Sequence, residues 1–464
     1  MSELEPVATV GSSVVNLLNT IVGAGLLAVP LTFKTDGVLL GVLIIVLAGL
    51  TSGFGLYLQG LTSKFIDRGN ANFFNICLIT YPSLSVLFDV AIAIQCFGVG
   101  VSYVVLIGDL MPTILQFEIF GNEQRLFWIL FSALIITPLC FFKNLDSLKY
   151  TSIIALLSIG YIVLLIYIHF FMELKLEIIN GLKSDLKGDI SLLKPESFNS
   201  ILSTFAIIVF AFTGHQNMYS IINELKVNTT LNINKIVVIS IFLTAMLFLT
   251  VGLTGYYTFG NNINGNIILI YTDNAYTKLA RLSIVIMVLL SFPLMLYPCR
   301  ISIHNIVSWV NKNVIKSFWT TTTTNNTATV NTNFPPDETS GLLEEQRVGL
   351  LEAEKPVLNH ARFVTLTVIL LLLSYIIAIS LTSFEFILSV VGATGSTAIS
   401  FILPGLFGYK LIGSEDSLGM LREQVDGEDE AIFKNKIVNK LSLGLTAWGI
   451  IVMVLCLYSS IYLE

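Results

Sequence analysis

Residues 16–30 read NLLNTIVGAGLLAVP and lie inside an apolar run long enough to cross a membrane as a helix. Gly23, Ala24 and Gly25 stand near its middle, with two asparagines before them and a proline after them. Interrupting a helix at this depth exposes amide and carbonyl groups that lipid cannot satisfy. Such an interruption persists only where it lines a cavity, so the stretch predicts a binding surface within the membrane.

The composition of the whole chain is that of an integral membrane protein. Of its 464 residues, 54% are hydrophobic and 12% are charged, and the mean hydropathy is +0.81. Long uncharged runs recur where a barrel would show short alternating segments, so we expect an all-α fold with about eleven transmembrane helices. The predicted spans are 9–33, 37–61, 84–111, 126–142, 150–172, 199–223, 235–259, 281–309, 362–382, 384–410 and 440–462.

The placement of basic residues predicts the orientation of these spans. Most of the 25 lysines and arginines fall on one side of the membrane if the N-terminus is cytosolic. The C-terminus is then lumenal. The first ten residues, MSELEPVATV, lack the basic region of a cleavable signal peptide, so the first span is expected to be retained. The formal net charge of −6 indicates no particular partner.

The sequence contains no pattern typical of a cofactor, metal or nucleic-acid site. Its five cysteines are scattered singly and mostly within spans, as small buried apolar residues are. We find no nucleophile–base constellation and no ligand cluster at membrane depth, which argues against an enzyme. We therefore expect no cofactor, no metal and no nucleic-acid partner.

One long polar segment divides the chain. Helices 1–8 are predicted over residues 1–309 and helices 9–11 over 362–464, whereas 310–361 contains a Thr/Asn-rich tract followed by an acidic stretch. Such a composition predicts a disordered cytosolic loop. Within it, ETSGLL resembles an acidic dileucine signal for a sorting adaptor, with Glu338, Leu342 and Leu343 as its key residues. A motif this short also arises by chance.

A second interruption lies five spans after the first. Residues 205–224 read FAIIVFAFTGHQNMYSIINE, an apolar helix interrupted around 213–217. Paired interruptions in corresponding spans are typical of transporters with an inverted repeat, here five helices plus five. The opened backbone offers amides and a positive dipole end to a carboxylate, and carbonyls to an ammonium group. A zwitterionic amino acid carries both.

Glycines at the interruptions have two possible roles. Gly23, Gly25 and Gly214 permit close approach of a substrate to the backbone. Small residues in membrane helices equally serve close helix packing. The paired interruption favours a substrate site.

Polar side chains near the interruptions are candidates for ion coupling. His215 is a titratable group at membrane depth and a candidate proton acceptor, although a histidine there can also simply hydrogen-bond a freed carbonyl. Asn16, Asn19, Thr20 and Ser291 offer oxygens to a small cation.

Four ordered motifs carry a family resemblance: NLLNTIVGAGLLAVPLTFKTDG, SYVVLIGDLMP, FAFTGHQNMYSIINE and SFPLMLYPCR. Together they resemble the amino acid/auxin permease family and, within it, the fungal vacuolar amino acid transporters. VVGATGSTAISFILPG, in the tenth span, is a weaker match. The resemblance implies a LeuT-type fold in which helices 1 and 6 unwind around an amino acid. The substrate-binding residues that it implies are Val22, Gly23, Ala24, Gly25, Phe210, Thr213, Gly214 and His215.

The resemblance also implies a direction and a driving ion. The vacuolar relatives export neutral amino acids such as glutamine to the cytosol, driven by the acidic lumen. Animal relatives couple sodium through positions that resemble Asn16 and Ser291, so sodium stays open as the coupling ion.

Two alternative functions remain at this point. The chain is either a sodium- or proton-driven uptake system at the plasma membrane or a sensor that binds an amino acid without transporting it. A sensor would signal through residues 310–361. Radiotracer flux separates a transporter from a sensor, and microscopy separates the two membranes.

Overall fold

The computed structural model of the chain describes residues 8–117, 121, 123–141, 149–180, 187–193, 195–322, 359–413, 419, 421 and 427–462. Within these ranges the protein is helical and contains no strand; one isolated bridge pairs Ala8 with Leu225. The proposed sorting motif lies outside the described residues.

Sixteen α-helices are described, and short 3₁₀ or π-helical turns join several of them. They are α1 (Val10–Ile21), α2 (Val29–Asp36), α3 (Val38–Thr62), α4 (Phe73–Thr80), α5 (Ser85–Ile114), α6 (Gln124–Cys140), α7 (Lys149–Asn180), α8 (Phe198–Ala211), α9 (His215–Glu224), α10 (Thr230–Phe259), α11 (Ala275–Thr322), α12 (His360–Ser380), α13 (Phe384–Val391), α14 (Leu403–Leu411), α15 (Gly427–Phe433) and α16 (Lys436–Tyr462).

The membrane spans confirm the predicted all-α fold. In the described ranges, nine helical stretches are long and apolar enough to cross a bilayer. A tenth span is formed by Val10–Ile21 and Ala24–Asp36, which meet at an angle of 52°. The shorter apolar helix α6 occupies the position of the predicted fourth span. The sixth predicted span is interrupted between α8 and α9, as the sequence indicates.

Two elements differ from the sequence prediction in their extent or kind. Helix α11 continues to Thr322, so the predicted loop 310–361 begins as helix, and its residues 323–358 lie outside the described part of the chain. A helix satisfies its own backbone hydrogen bonds and need not end where lipid ends. The tenth predicted span contains two π-helical turns, Gly392–Ser396 and Ala398–Ile402, between α13 and α14.

Apolar residues lie both on the outer surface and in the core of the protein. Leu50, Leu134 and Leu157 are 67%, 71% and 70% exposed, as expected of side chains that face lipid. The interior is a continuous apolar cluster, and all five cysteines are buried. Around this core, α5 packs along α11, and α1 packs against α10. The two interrupted spans are thereby held at the centre of the molecule.

Two backbone hydrogen bonds join α1 and α9 at the ends that lie on the N-terminal side. The amide of Ala8 donates to the carbonyl of Glu224 at 3.0 Å, and the amide of Lys226 donates to the carbonyl of Ala8 at 2.9 Å. Nearby, the guanidinium of Arg68 donates to the carbonyls of Leu225 and Lys226. The residues before α1 and at the end of α9 are therefore hydrogen-bonded to each other.

Candidate functional site

A cavity of about 450 Å³ opens between the interrupted helices, on the half of the molecule that contains the N-terminus. Its walls come from α1, α5, α7, α9 and α11. The lining residues are Asn16, Asn19, Thr20, Val22, Gly23, Tyr103, Ala155, Ile159, Gln216, Asn217, Ser220, Ile221, Glu224, Met287, Ser291, Leu294, Met295, Tyr297 and Pro298. Among them, Glu224 at the end of α9 is the only residue with a charged side chain. The volume lies within the range of small-molecule sites.

The first interruption opens directly into this cavity. Helix α1 ends at Ile21, and a 3₁₀ turn, Ala24–Ala28, begins after Gly23 without any side-chain cap at its N-terminus. A methyl group placed on Gly23 would meet no heavy atom within 4 Å. The first amides of such a turn have no partner inside the helix. They are available to an anionic group at the cavity wall.

Amide and hydroxyl groups of α1 and α9 meet across the cavity. The side-chain amide of Asn217 donates to the hydroxyl of Thr20 at 3.2 Å, and that hydroxyl lies 2.9 Å from the carbonyl of Asn16, to which it donates. The amide oxygens of Asn19 and Gln216 are buried and have no hydrogen-bond partner among the described residues. Buried acceptors without a partner are unusual in folded proteins. Within the cavity they are candidate acceptors for a ligand or a cation.

The second interruption is packed inside the protein. The hydroxyl of Ser52 on α3 donates to the carbonyl of Phe212 at 3.0 Å, and the side chain of Gln59 on α3 donates to the carbonyl of His215 at 3.3 Å. The carbonyl of Phe212, which the end of α8 frees, therefore already has a protein partner, and Gln59 adds a donor to the carbonyl of His215 in the first turn of α9. These two carbonyls contribute no open acceptor to the cavity.

Gly25 and Gly214 allow the two interruptions to pack against each other. A Cβ on Gly25 would lie 3.1 Å from the Cα of Ala211, and one on Gly214 would lie 2.5 Å from Cγ1 of Ile21. Both distances are tighter than ordinary van der Waals contact. Close packing therefore accounts for these two glycines, whereas Gly23 faces open space.

His215 lies behind the cavity wall. Its ring is fully buried, with Nε2 3.1 Å from the carbonyl of Ser52 and Nδ1 3.0 Å from the hydroxyl of Ser400. A carbonyl only accepts, so Nε2 carries the hydrogen and Nδ1 accepts from Ser400. A Cβ on Gly55 would lie 2.9 Å from Nε2, which shows how closely α3 approaches the ring. Both ring nitrogens are used by protein groups.

The structure brings together part of the predicted site. The predicted residues that line the cavity are Val22, Gly23, Asn16, Asn19, Thr20 and Ser291. The predicted residues that are not among its lining are Ala24, Gly25, Phe210, Thr213, Gly214 and His215. A binding or coupling role for either set stays a prediction.

Other lining residues were missed by the sequence analysis. Asn217, Ser220 and Glu224 follow each other at spacings of three and four, which places polar groups on one face of a helix, so this signal was present in the sequence. Tyr103 of α5 and Met287 of α11 gave no such signal. Their place in the cavity depends on how those helices are rotated against α1.

The fold and the cavity define a helical membrane protein with a polar cavity between two interrupted helices. Residues 6–425 match the family described as transmembrane amino acid transporter protein. This match covers most of the chain, which therefore belongs to that family. Members of the family are transporters and not enzymes.

Two yeast relatives align along nearly the whole chain. Vacuolar amino acid transporter 7 of Saccharomyces cerevisiae is 40% identical, over 99% of this chain and 99% of the yeast protein. Vacuolar amino acid transporter 6 of the same yeast is 38% identical, over 99% of this chain and 100% of the relative.

A solved structure supports the fold. MhsT, crystallised in complex with L-phenylalanine, superposes with a TM-score of 0.52 at 12% identity, over 98% of this chain and 100% of MhsT. The fold is thus of the LeuT type, as the family resemblance implies.

Proposed function

We propose that this protein is a vacuolar amino acid transporter that exports neutral amino acids such as glutamine to the cytosol in symport with protons, by alternating access. The observation that carries the proposal is the cavity at the first interruption, where an uncapped helical N-terminus at Gly23 faces open space. The yeast relatives are named as vacuolar amino acid transporters, which supports the substrate class and the membrane.

The two ends of an amino acid match two features of the cavity. The α-carboxylate is bound by the backbone amides that follow Gly23, at the positive end of a helical dipole. The ammonium group donates to the unpartnered oxygens of Asn19 and Gln216. Both groups are then satisfied without a charged partner.

The wall chemistry supports a neutral side chain. Ala155, Ile159, Met287 and Leu294 give the cavity apolar patches, and the described lining includes no lysine or arginine. A strongly acidic substrate side chain would have no ion-pair partner there, and burying a charge without one is costly. Amide and small apolar side chains incur no such cost.

The proposed direction follows from the proposed orientation. With the N-terminus cytosolic and the C-terminus lumenal, the halves α1 and α9 lie on the cytosolic side, and so does the cavity between them. This arrangement is then the one from which a substrate leaves for the cytosol. An acidic lumen supplies the protons that drive the cycle.

A sodium-coupled cycle is the second candidate. Its support is the group of oxygens that Asn16, Asn19, Thr20 and Ser291 bring to one cavity, because hard cations prefer such ligands. The sensor alternative shares the same binding site and differs only in the absence of flux.

The test uses purified protein in sealed liposomes with radiolabelled glutamine and a panel of competing amino acids. Accumulation is measured under an imposed pH gradient, an imposed sodium gradient and neither, with protein-free liposomes as the control. Accumulation driven by the pH gradient is the expected result. Accumulation driven by sodium alone would show that sodium and not the proton is the coupling ion. Binding without flux would show that the protein is a sensor.

A further inference from the structure

A second, smaller pocket lies on the opposite side of the membrane from the central cavity. It has a volume of about 190 Å³ and is walled by the ends of α2, α8, α13 and α16. Its polar lining includes Thr35, Glu196, Ser203, Thr204, Glu385 and Ser459. It shares no lining residue with the central cavity. We call it the far-side pocket.

A buried carboxylate stands directly behind the wall of this pocket. Asp36, the last residue of α2, is 0% exposed. Its two oxygens lie 3.2 and 3.1 Å from the hydroxyl of Thr204, which itself lines the pocket. Among the described residues Asp36 forms no ion pair, and an unpaired buried charge is costly. An ionisable side chain in such a place is a functional candidate.

Thr204 can serve both protonation states of Asp36. Its hydroxyl also lies 2.9 Å from the carbonyl of Ser200, a second acceptor. When Asp36 is charged, the hydroxyl donates to the carboxylate. When Asp36 is protonated, its own O–H donates to the oxygen of Thr204, whose hydrogen turns to Ser200. Asp36 and Thr204 therefore stay hydrogen-bonded to each other in either state.

We propose that Asp36 takes up the coupling proton from the compartment opposite the N-terminus, through the far-side pocket and Thr204. A hydronium ion in the pocket gives a proton to the oxygen of Thr204, while the Thr204 hydrogen passes to the carboxylate of Asp36. The products are water, an unchanged threonine and a neutral carboxylic acid. This inference rests on the proposed proton-coupled cycle and assigns a residue to it.

The charged and titratable groups around Asp36 leave it as the buried acceptor. On α2 itself, Lys34 uses its ammonium group to donate to the carbonyl of Ile263 at 2.9 Å. Glu196, just before α8, repels a charged Asp36. From α13, Glu385 accepts from the amide of Gly265.

Helices α10 and α3 also pack against α2 and contribute no acid there. On α10, Tyr256 stacks on Phe33, and its hydroxyl accepts from the amide of Ser191 at 2.8 Å. Residues 38–62 of α3 contain no aspartate, glutamate, histidine, lysine or arginine. Protonation therefore changes the charge of one buried side chain in this region.

The position of Asp36 connects its charge to the moving parts of the fold. Helix α2 is the second half of the first interrupted span, and Thr204 belongs to α8, the first half of the second one. The amide of Glu196 also donates to the carbonyl of Thr35 at 2.7 Å. A change in charge at Asp36 thus acts on the contact between the two spans that enclose the substrate.

The test compares Asp36→Asn with Glu123→Gln, an exposed carboxylate that lines neither pocket, in the liposome assay. Both substitutions replace a carboxylate by its amide, and the amide oxygen introduced by Asp36→Asn still accepts from Thr204. Two readouts are taken: accumulation under a pH gradient, and exchange of internal for external glutamine at equal pH. We expect Asp36→Asn to lose accumulation, down to the level without a gradient, and to keep exchange. Glu123→Gln is expected to keep both.

Three results would overturn the assignment. They are full accumulation by Asp36→Asn, loss of exchange together with accumulation in that variant, and an equal loss of accumulation in Glu123→Gln. The result for the wild-type protein distinguishes a failure of the Asp36 assignment from a failure of the proposed function. If wild type responds only to sodium, both fail; if wild type follows the pH gradient and Asp36→Asn does too, only the role of Asp36 fails.

Discussion

The two helix interruptions look alike in the sequence and differ in what surrounds them. At the first, the backbone at Gly23 faces an open cavity, with the unpartnered amide oxygen of Asn19 on the same span. At the second, Ser52 and Gln59 of α3 already donate to the carbonyls of Phe212 and His215. An interrupted helix is therefore not in itself a binding site. It becomes one where the protein leaves the freed groups without partners.

The largest effect is expected from a substitution that tests whether Gly25 serves helix packing or substrate binding. Gly25→Leu places a side chain against the backbone of Ala211, so we expect loss of transport together with a loss of roughly 1–3 kcal/mol in stability. Thermal unfolding of the purified variant in detergent measures this. Unchanged glutamine affinity in a well-folded Gly25→Leu protein would remove the packing account.

Gly23→Leu is the matched substitution at the open position. The new side chain enters the cavity and meets no protein atom near its Cβ, so stability should stay within about 0.5 kcal/mol of wild type. Glutamine binding should be lost, because the side chain occupies the substrate's volume. Binding is measured by scintillation proximity and stability by thermal unfolding. A destabilised Gly23→Leu protein with wild-type affinity for glutamine would show that Gly23 serves packing and not binding.

A smaller effect is expected from the two unpartnered oxygens. Asn19→Ala or Gln216→Ala removes an acceptor for the substrate ammonium, and a hydrogen bond to a charged group contributes about 1.5–3 kcal/mol. Affinity for glutamine should fall roughly 10- to 100-fold. Asn232→Ala, outside the cavity, is the control. Wild-type affinity in both variants would show that the ammonium group binds elsewhere.

The smallest expected effect is on the pH profile of a His215 variant. Both ring nitrogens are bound to protein groups behind the cavity wall, so His215→Ala should lower stability and the maximal rate without changing the shape of the pH profile. Initial rates of uptake over a pH series measure this. A flattened profile would return the proton-coupling role to His215 and contradict the view that the second interruption is structural.

The sequence predicts where backbone is exposed better than it predicts what faces the exposed groups. Gly23 and Gly214 both indicated an interruption, because glycine between apolar runs in corresponding spans is informative by itself. The assignment of Gly25 and Gly214 to packing depends on distances to Ala211 and Ile21, which belong to the other interrupted helix. Contacts between distant spans leave no local pattern.

The burial of Asp36 also depends on a contact that is distant in sequence. In the sequence it ends an apolar span and is followed by Gly37, which reads as a polar residue at a membrane boundary. Its burial arises from α8 and the segment before it, about 160 residues further along the chain. No pattern around residue 36 reports that contact.

The pair of hydrogen bonds between Ala8 and the end of α9 constrains how the cavity can open. Helices α1 and α9 are in contact at the interruptions and are fastened again at their outer ends. Two helices joined at both ends move as one body, because neither rotates without carrying the other. We therefore expect any opening of the cavity to move α1 and α9 together, over a single barrier.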